Sequence, residues 1–241
     1  MNIHFIQHEN FEAPGAYLNW ANERNYTSTF SKVYENNPLP ESVDSIDVLI
    51  ILGGPQDPST TKKECPHFDA QAEITLIQKA VNSGKAVVGA CLGAQLIGES
   101  FGATFRNSPE KEIGVFPIQL TENRVKDDKI NHFGEIISVG HWHNDMPGLN
   151  KNAQILATSK GCPRQIVKYS ELVYGFQCHM EFTPEIIDLM IETDREFLIN
   201  NTEHQFVQMP DQIKSFDFKE MNEKLYTFLD KLVEAYQTTH H

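Results

Sequence analysis

The chain has 241 residues, 40% hydrophobic and 22% charged, the balance of a globular protein with a buried core rather than of a disordered tail. Its formal charge of -13 offers no basic footprint, which argues against nucleic acid or an anionic membrane as partner. The four cysteines (Cys65, Cys91, Cys162, Cys178) fit no zinc spacing, the start reads as no signal peptide, and no stretch approaches the roughly 20 apolar residues of a membrane span; the expected compartment is the cytoplasm.

In chain order, IHFIQ near the start reads as a buried strand, and DVLIILGG, Asp47 to Gly54, as a stronger one stopped by two glycines and Pro55. In FDAQAEITLIQKAVNSG the residues Ala72, Leu76, Ile77, Ala80 and Val81 recur at helical spacing, with Gly84 as the stop. KAVVGA is a second apolar strand, and LGAQLIGESFG a helix behind it. Continuous apolar strands alternating with helices predict an α/β fold, a mostly parallel central sheet flanked by helices. GVFPIQLT, ISVGHWH, AQILATS, RQIVKYS and LVYGFQCH follow closely on one another and predict an antiparallel stretch grafted onto that sheet. TPEIIDLMIETDREFLINN predicts a helix with Thr183 as cap and Pro184 in its first turn. The polar NNTEHQFVQMPDQ reads as a linker, followed by a helix with an apolar stripe at Phe218, Met221, Leu225, Leu229, Leu232 and Ala235 that suits core packing. One domain over residues 1–241 with a C-terminal helical extension from about 201 is the simplest organisation.

Cys91 lies in GACLG, at the junction of a strand and a helix. A nucleophile on such a turn is lifted above the sheet edge, and the strained turn needs small neighbours; this is the thiol counterpart of the G-x-S-x-G elbow. The helix that follows points its N-terminus at the sulfur, which favours the thiolate, and its free N–H groups can hold an oxyanion. The bland alternative is a small cysteine buried in a tight turn. A cysteine nucleophile needs a base, and YGFQCHMEFTPE supplies His179 and Glu181 two residues apart. In an extended chain both side chains face the same way, so an imidazole can meet the thiol while a carboxylate orients it. His141-x-His143-x-Asp145 in HWHND also has the alternation of metal ligands; without a third histidine at a telling spacing, pocket lining is the expectation and no metal is assigned.

In this order, GGPQDP after a buried strand, GACLGAQLIG, EIG at Glu112 to Gly114, HWHND and YGFQCHMEFTPE resemble the class I glutamine amidotransferases, in particular their free-standing GMP synthase-like group. The resemblance covers about Asp47 to Glu185 and implies a flavodoxin-like fold. It makes Cys91 the nucleophile, His179 the general base and acid, and Glu181 the orienting carboxylate. It places the oxyanion hole at the backbone N–H groups of Leu92 and Gly54. Gln95 and the segment Trp142, His143, Asn144 and Asp145 would grip the amino-acid end of the substrate. Arg164 and Gln165 also follow the pattern. Cys178 departs from it, since a large apolar residue is usual before the histidine.

The expected reaction is hydrolysis of the glutamine side-chain amide through a cysteinyl thioester, releasing ammonia, with no cofactor. No SGGxDS or GxxxxGK[ST] loop for ATP is present, so the enzyme that accepts the ammonia is either a separate synthetase subunit or does not exist. Two alternatives remain: a γ-glutamyl peptidase acting on small peptides with the same triad, and a non-catalytic binding module on the same fold.

Overall fold

The computed structural model describes residues 1–201 and 204–240, and among these the chain builds one nine-stranded sheet. Five parallel strands form its body: β1 (Asn2–Gln7), β2 (Thr27–Lys32), β3 (Val48–Ile51), β4 (Ala86–Ala90) and β9 (Val173–Phe176). Beyond β9 the sheet continues in antiparallel pairings through β8 (Ile166–Ser170), β7 (Gln154–Thr158), β5 (Arg106–Leu120) and β6 (Ile136–Met146). The order is β2-β1-β3-β4-β9-β8-β7-β5-β6, and only β8 and β5 run against the common direction.

The apolar strands are continuous because helices cover both faces. Successive residues of β3 go to opposite cores: Val48 and Ile50 to one, Leu49 and Ile51 to the other. Helices α2 (Ala70–Asn82) and α3 (Leu92–Ser100) pack on the Leu49 side. Helices α1 (Ala16–Glu23), α4 (Pro184–Asn200) and α6 (Lys219–His240) cover the other side. Asp69 caps α2 by accepting from Ala72 N at 3.1 Å, and Gly84 ends that segment at φ +69°.

The stripe of α6 is core: Phe218, Met221, Leu225, Leu229 and Leu232 are buried, with Ala235 half-buried. Asp230 on this helix accepts from Trp20 Nε1 of α1 at 2.8 Å and pairs with Arg24, the residue that follows α1. Two elements carry no clear sequence signal, α1 and β2. The polar stretch read as a linker holds the short helix α5 (Pro210–Lys214), and its residues pair with β5: Ile113 N donates to Phe206 O at 2.8 Å and Gln208 N to Ile113 O at 2.9 Å. Residues 202 and 203 of that stretch lie outside the described residues.

Candidate active site

Four adjacent parallel strands end together, and the residues just beyond them build the site: His8 after β1, Gly53 and Gly54 after β3, Cys91 after β4, and Gln177 to Glu181 after β9. Ligands of open α/β sheets bind in this place, outside the carboxyl ends of the strands.

Cys91 sits between β4 and α3 at φ +50° and ψ -108°, one of three non-glycine residues with positive φ among the described residues. For an L-residue this backbone is strained, and such strain persists only where the surroundings impose it. The flanking glycines show how. A Cβ on Gly93 would stand 2.2 Å from the backbone oxygen of Ile51, and one on Gly89 would stand 2.3 Å from the carbonyl carbon of Gly93. The elbow closes only because α3 touches the strands backbone to backbone. Cys91 N donates to Phe176 O at 2.7 Å, tying the turn to β9.

The thiol is 6% exposed. Gln177 Nε2 donates to Sγ at 3.4 Å, and Sγ lies 3.8 Å from the Trp142 carbonyl oxygen. His179 is fully buried; its Nδ1 donates to Glu181 Oε1 at 2.6 Å, and its ring stacks on Phe182 at 4.4 Å. Backbone bonds between His179 and Gly140 (N to O 2.8 Å, O from N 3.1 Å) fix the segment to β6. The other ring nitrogen, Nε2, has no hydrogen-bond partner. Cys91 and His179 shift each other's proton affinity without meeting hydrogen-bond geometry. Burial opposes charge on the ring, but the Glu181 carboxylate and the nearby thiol lift His179 well above its usual value. Burial pushes the Cys91 thiol up, with His179 pulling the other way. The thiolate expected from the helix N-terminus is therefore offset by burial.

Gly54 is buried, and its φ lies outside the left-handed region. The glycine is needed for space: a Cβ would meet Gln56 Oε1 at 2.6 Å and His8 Cβ and Leu92 Cδ2 at 3.0 Å. Its N–H donates to no carbonyl among the described residues. Leu92 opens α3, so its N–H has no partner one turn back in the helix.

Gln95 Nε2 donates to Gln177 Oε1 at 3.3 Å, which links it to the thiol, and its Oε1 is buried without a partner. Trp142 approaches Cys91 through its carbonyl oxygen, while its Nε1 donates to Asp194 Oδ2 at 2.7 Å. Asn144 is exposed and lines a cleft of about 230 Å³ with Trp142, Lys111 and Phe197. Two expected substrate residues make their side-chain bonds elsewhere: Asp145 accepts from Asn107 Nδ2 at 2.7 Å, and the His143 ring joins a buried cluster behind the site.

That cluster pairs His141 and His143 with Glu112 rather than with Asp145. Their donor atoms lie within 4.8 Å of one another, close enough to share an ion. Gln165 Nε2 is 2.7 Å from Glu112 Oε2, 3.2 Å from His143 Nε2 and 3.3 Å from His141 Nδ1, and so ties the group as a hydrogen-bonded network. Burial pushes His141 down to about 3 and His143 well below its usual value, so both rings are neutral there.

Several site residues escape the sequence reading. Gln177 precedes His179 by two in the bent segment past β9, and the same spacing that pairs His179 with Glu181 could have flagged it. Glu12 lies against Gly53, where a glycine Cβ would stand 2.4 Å from its Oε2. Burial pushes its carboxyl up to about 7, with His179, Glu181 and His8 close enough to act on it. Phe182 supplies the apolar face of His179, and Cys178, the departure already visible in the sequence, is buried with its Sγ 3.7 Å from Gln165 O.

Fold and site define an α/β protein with a cysteine on an elbow opposite a histidine–carboxylate pair. The sequence matches the family described as Glutamine amidotransferase class-I over residues 19–195, and the chain belongs to that family. It is 50% identical to the glutamine amidotransferase-like protein YfeJ of Salmonella typhimurium over 98% of this chain and 99% of the relative. It is 27% identical to one subunit of the glutamine-hydrolyzing GMP synthase of Pyrococcus abyssi over 65% of this chain and 78% of that one. The crystal structure of a glutamine amidotransferase from Thermotoga maritima has the same fold, with a TM-score of 0.86 at 20% identity over 97% of this chain and 98% of that one. Among the described residues no helix is long and apolar enough to cross a membrane.

Proposed function

We propose that the protein hydrolyses the side-chain amide of glutamine through a thioester on Cys91. The observation that carries this reading is the strained elbow thiol facing a buried imidazole whose far nitrogen is held by a carboxylate at 2.6 Å. Cys91 Sγ attacks the amide carbon as its proton passes to His179 Nε2, the ring nitrogen that has no other partner. Glu181 holds Nδ1–H, fixing the tautomer and making the ring a stronger base. The N–H groups of Leu92 and Gly54 take the oxyanion. His179 returns its proton to the departing ammonia and then draws one from the water that cleaves the thioester. Gln95, with a buried carbonyl oxygen lacking a donor, and the backbone at Trp142 hold the amino-acid end of the substrate. These steps need no cofactor.

The relative from Pyrococcus abyssi carries the name of a synthase subunit. This supports a separate synthetase partner that receives the ammonia. Four free cysteines fit a reducing compartment such as the cytoplasm. The cleft beside Trp142 favours a second reading, a γ-glutamyl peptidase: the leaving group of a peptide is larger than ammonia, and Lys111 on the cleft wall suits its carboxylate. The test is kcat/KM for glutamine, asparagine and γ-glutamyl dipeptides side by side. Glutamine turns over, and asparagine, one methylene short, is on the order of 100-fold poorer. A dipeptide exceeding glutamine by orders of magnitude selects the peptidase, and no turnover of any of them selects a binding module.

A further inference from the structure

Helix α2 carries a carboxylate on its buried face. Glu73 falls in register with Leu76, Ile77 and Ala80, and it is 1% exposed. A buried carboxylate needs a partner. Glu73 Oε2 lies 2.9 Å from Nε2 of His8, itself fully buried, and His8 Nδ1 lies 2.9 Å from the carbonyl oxygen of Gly53. A carbonyl only accepts, so Nδ1 carries a proton. With Glu73 ionised, Nε2 carries one too, and His8 bridges a helix and the loop after β3 as an imidazolium. Its proton affinity agrees: burial opposes the charge, but Glu73, the Gly53 carbonyl and Glu12 outweigh burial and raise it.

The Gly53 oxygen and the Gly54 N–H belong to one peptide. In a trans peptide they point in opposite directions, and the described residues contain no cis bond. Neither glycine has a side chain to resist rotation of that peptide. We propose that the His8–Glu73 pair is a clamp that holds the Gly53 oxygen and thereby keeps the Gly54 N–H turned toward Cys91. His8 and Glu73 are positioning residues: they touch neither substrate nor sulfur, and act through one peptide. The clamp rests on the oxyanion role of Gly54 given above.

An oxyanion donor acts on the transition state, so loss of the clamp lowers kcat and leaves KM in place. The informative variants are His8→Leu, which removes the donor, and His8→Asn, whose Nδ2 stands where Nδ1 stood. His8→Leu should lose at least about tenfold in kcat for glutamine, bounded by the roughly 100- to 1000-fold loss of a whole donor. His8→Asn should recover most of that loss. Glu73→Gln, which keeps an acceptor but removes the charge, should show a smaller fall and carries the test if His8→Leu does not fold. Crystal structures of the same variants read the orientation of the Gly53–Gly54 peptide whatever the activity, so the clamp is decided even if the wild type hydrolyses no glutamine and the functional reading fails. A turned peptide in His8→Leu, restored in His8→Asn, supports the clamp. An unturned peptide, an unchanged kcat, or an equal loss in His8→Leu and His8→Asn overturns it.

Discussion

Gly93→Ala is the smallest change that tests the elbow. The added Cβ would stand 2.2 Å from Ile51 O and 2.8 Å from Ile51 C, both backbone atoms of the last residue of β3. Ordinary contact begins at 3.4 Å, so α3 must retreat by about 1.2 Å. Overpacking of this kind costs about 2 to 3 kcal/mol, or roughly 4 to 12 °C in Tm for a chain of this size. The same retreat carries the Leu92 N–H and the Cys91 sulfur away from the substrate, and a displacement of about 1 Å costs on the order of 100-fold in kcat/KM. Gly98→Ala on the same helix is the control. Its Cβ would meet Gly148 N and the Tyr169 hydroxyl at 3.0 Å and Gly148 O at 3.1 Å, a crowding of a few tenths of an ångström against about 1.2 Å at Gly93, and the helix gains about 1 kcal/mol in propensity to set against it. Gly98→Ala should therefore keep its kcat and stay within about 1 kcal/mol of the parent. Thermal melts and steady-state hydrolysis of glutamine by both variants check this. A Gly93→Ala protein with the Tm and kcat of Gly98→Ala would refute the account of why the thiol lies between glycines.

Three further outcomes are expected. His179→Ala abolishes turnover, whereas Glu181→Gln leaves a measurable remnant, since the carboxylate orients and strengthens the base without moving the proton itself. In Glu181→Gln the His179 ring, followed by proton NMR, titrates at lower pH than in the wild type, because burial is then opposed by one carboxylate fewer. Burial pushes Glu12 up to about 7 against 4.5 unfolded, so the folded state binds the extra proton between these limits, and the contribution of Glu12 to stability falls as pH rises from about 4.5 to 7. Glu12→Gln removes that slope and gains on the order of 3 kcal/mol above pH 7, read by urea melts at pH 5 and 8; equal stability of the two proteins at pH 8 would contradict the burial argument.

The strands that carry the site are legible because they are buried on both faces: VLII and AVVGA are unbroken apolar runs, and glycine or the elbow marks where they stop. The pairing of His179 with Glu181 is legible from their spacing of two, although the chain past β9 bends at Cys178 and Met180 instead of running on as a strand. Strand β2, TSTFSK, escapes because it is an edge strand whose alternate residues stay exposed or half-exposed. The segment around Phe206 and Gln208 escapes because it is held by backbone bonds to β5, and these leave no mark on hydropathy. The clamp joins residues 65 apart in sequence, and only the tertiary fold brings them within 2.9 Å. Gly54 is a glycine for want of space rather than for backbone freedom, and the crowd of His8, Gln56 and Leu92 around it is encoded in no local pattern.

The most direct measurement is covalent. A glutamine analogue bearing a diazo-ketone is incubated with the wild type and with Cys91→Ala, and the products are mapped by peptide mass spectrometry. Cys65, Cys162 and Cys178 are also free thiols, and none of them stands at a strand–helix elbow. The account predicts one adduct per chain, on Cys91, and none in the variant. An adduct that persists in Cys91→Ala, or a wild type that takes up none, would contradict it.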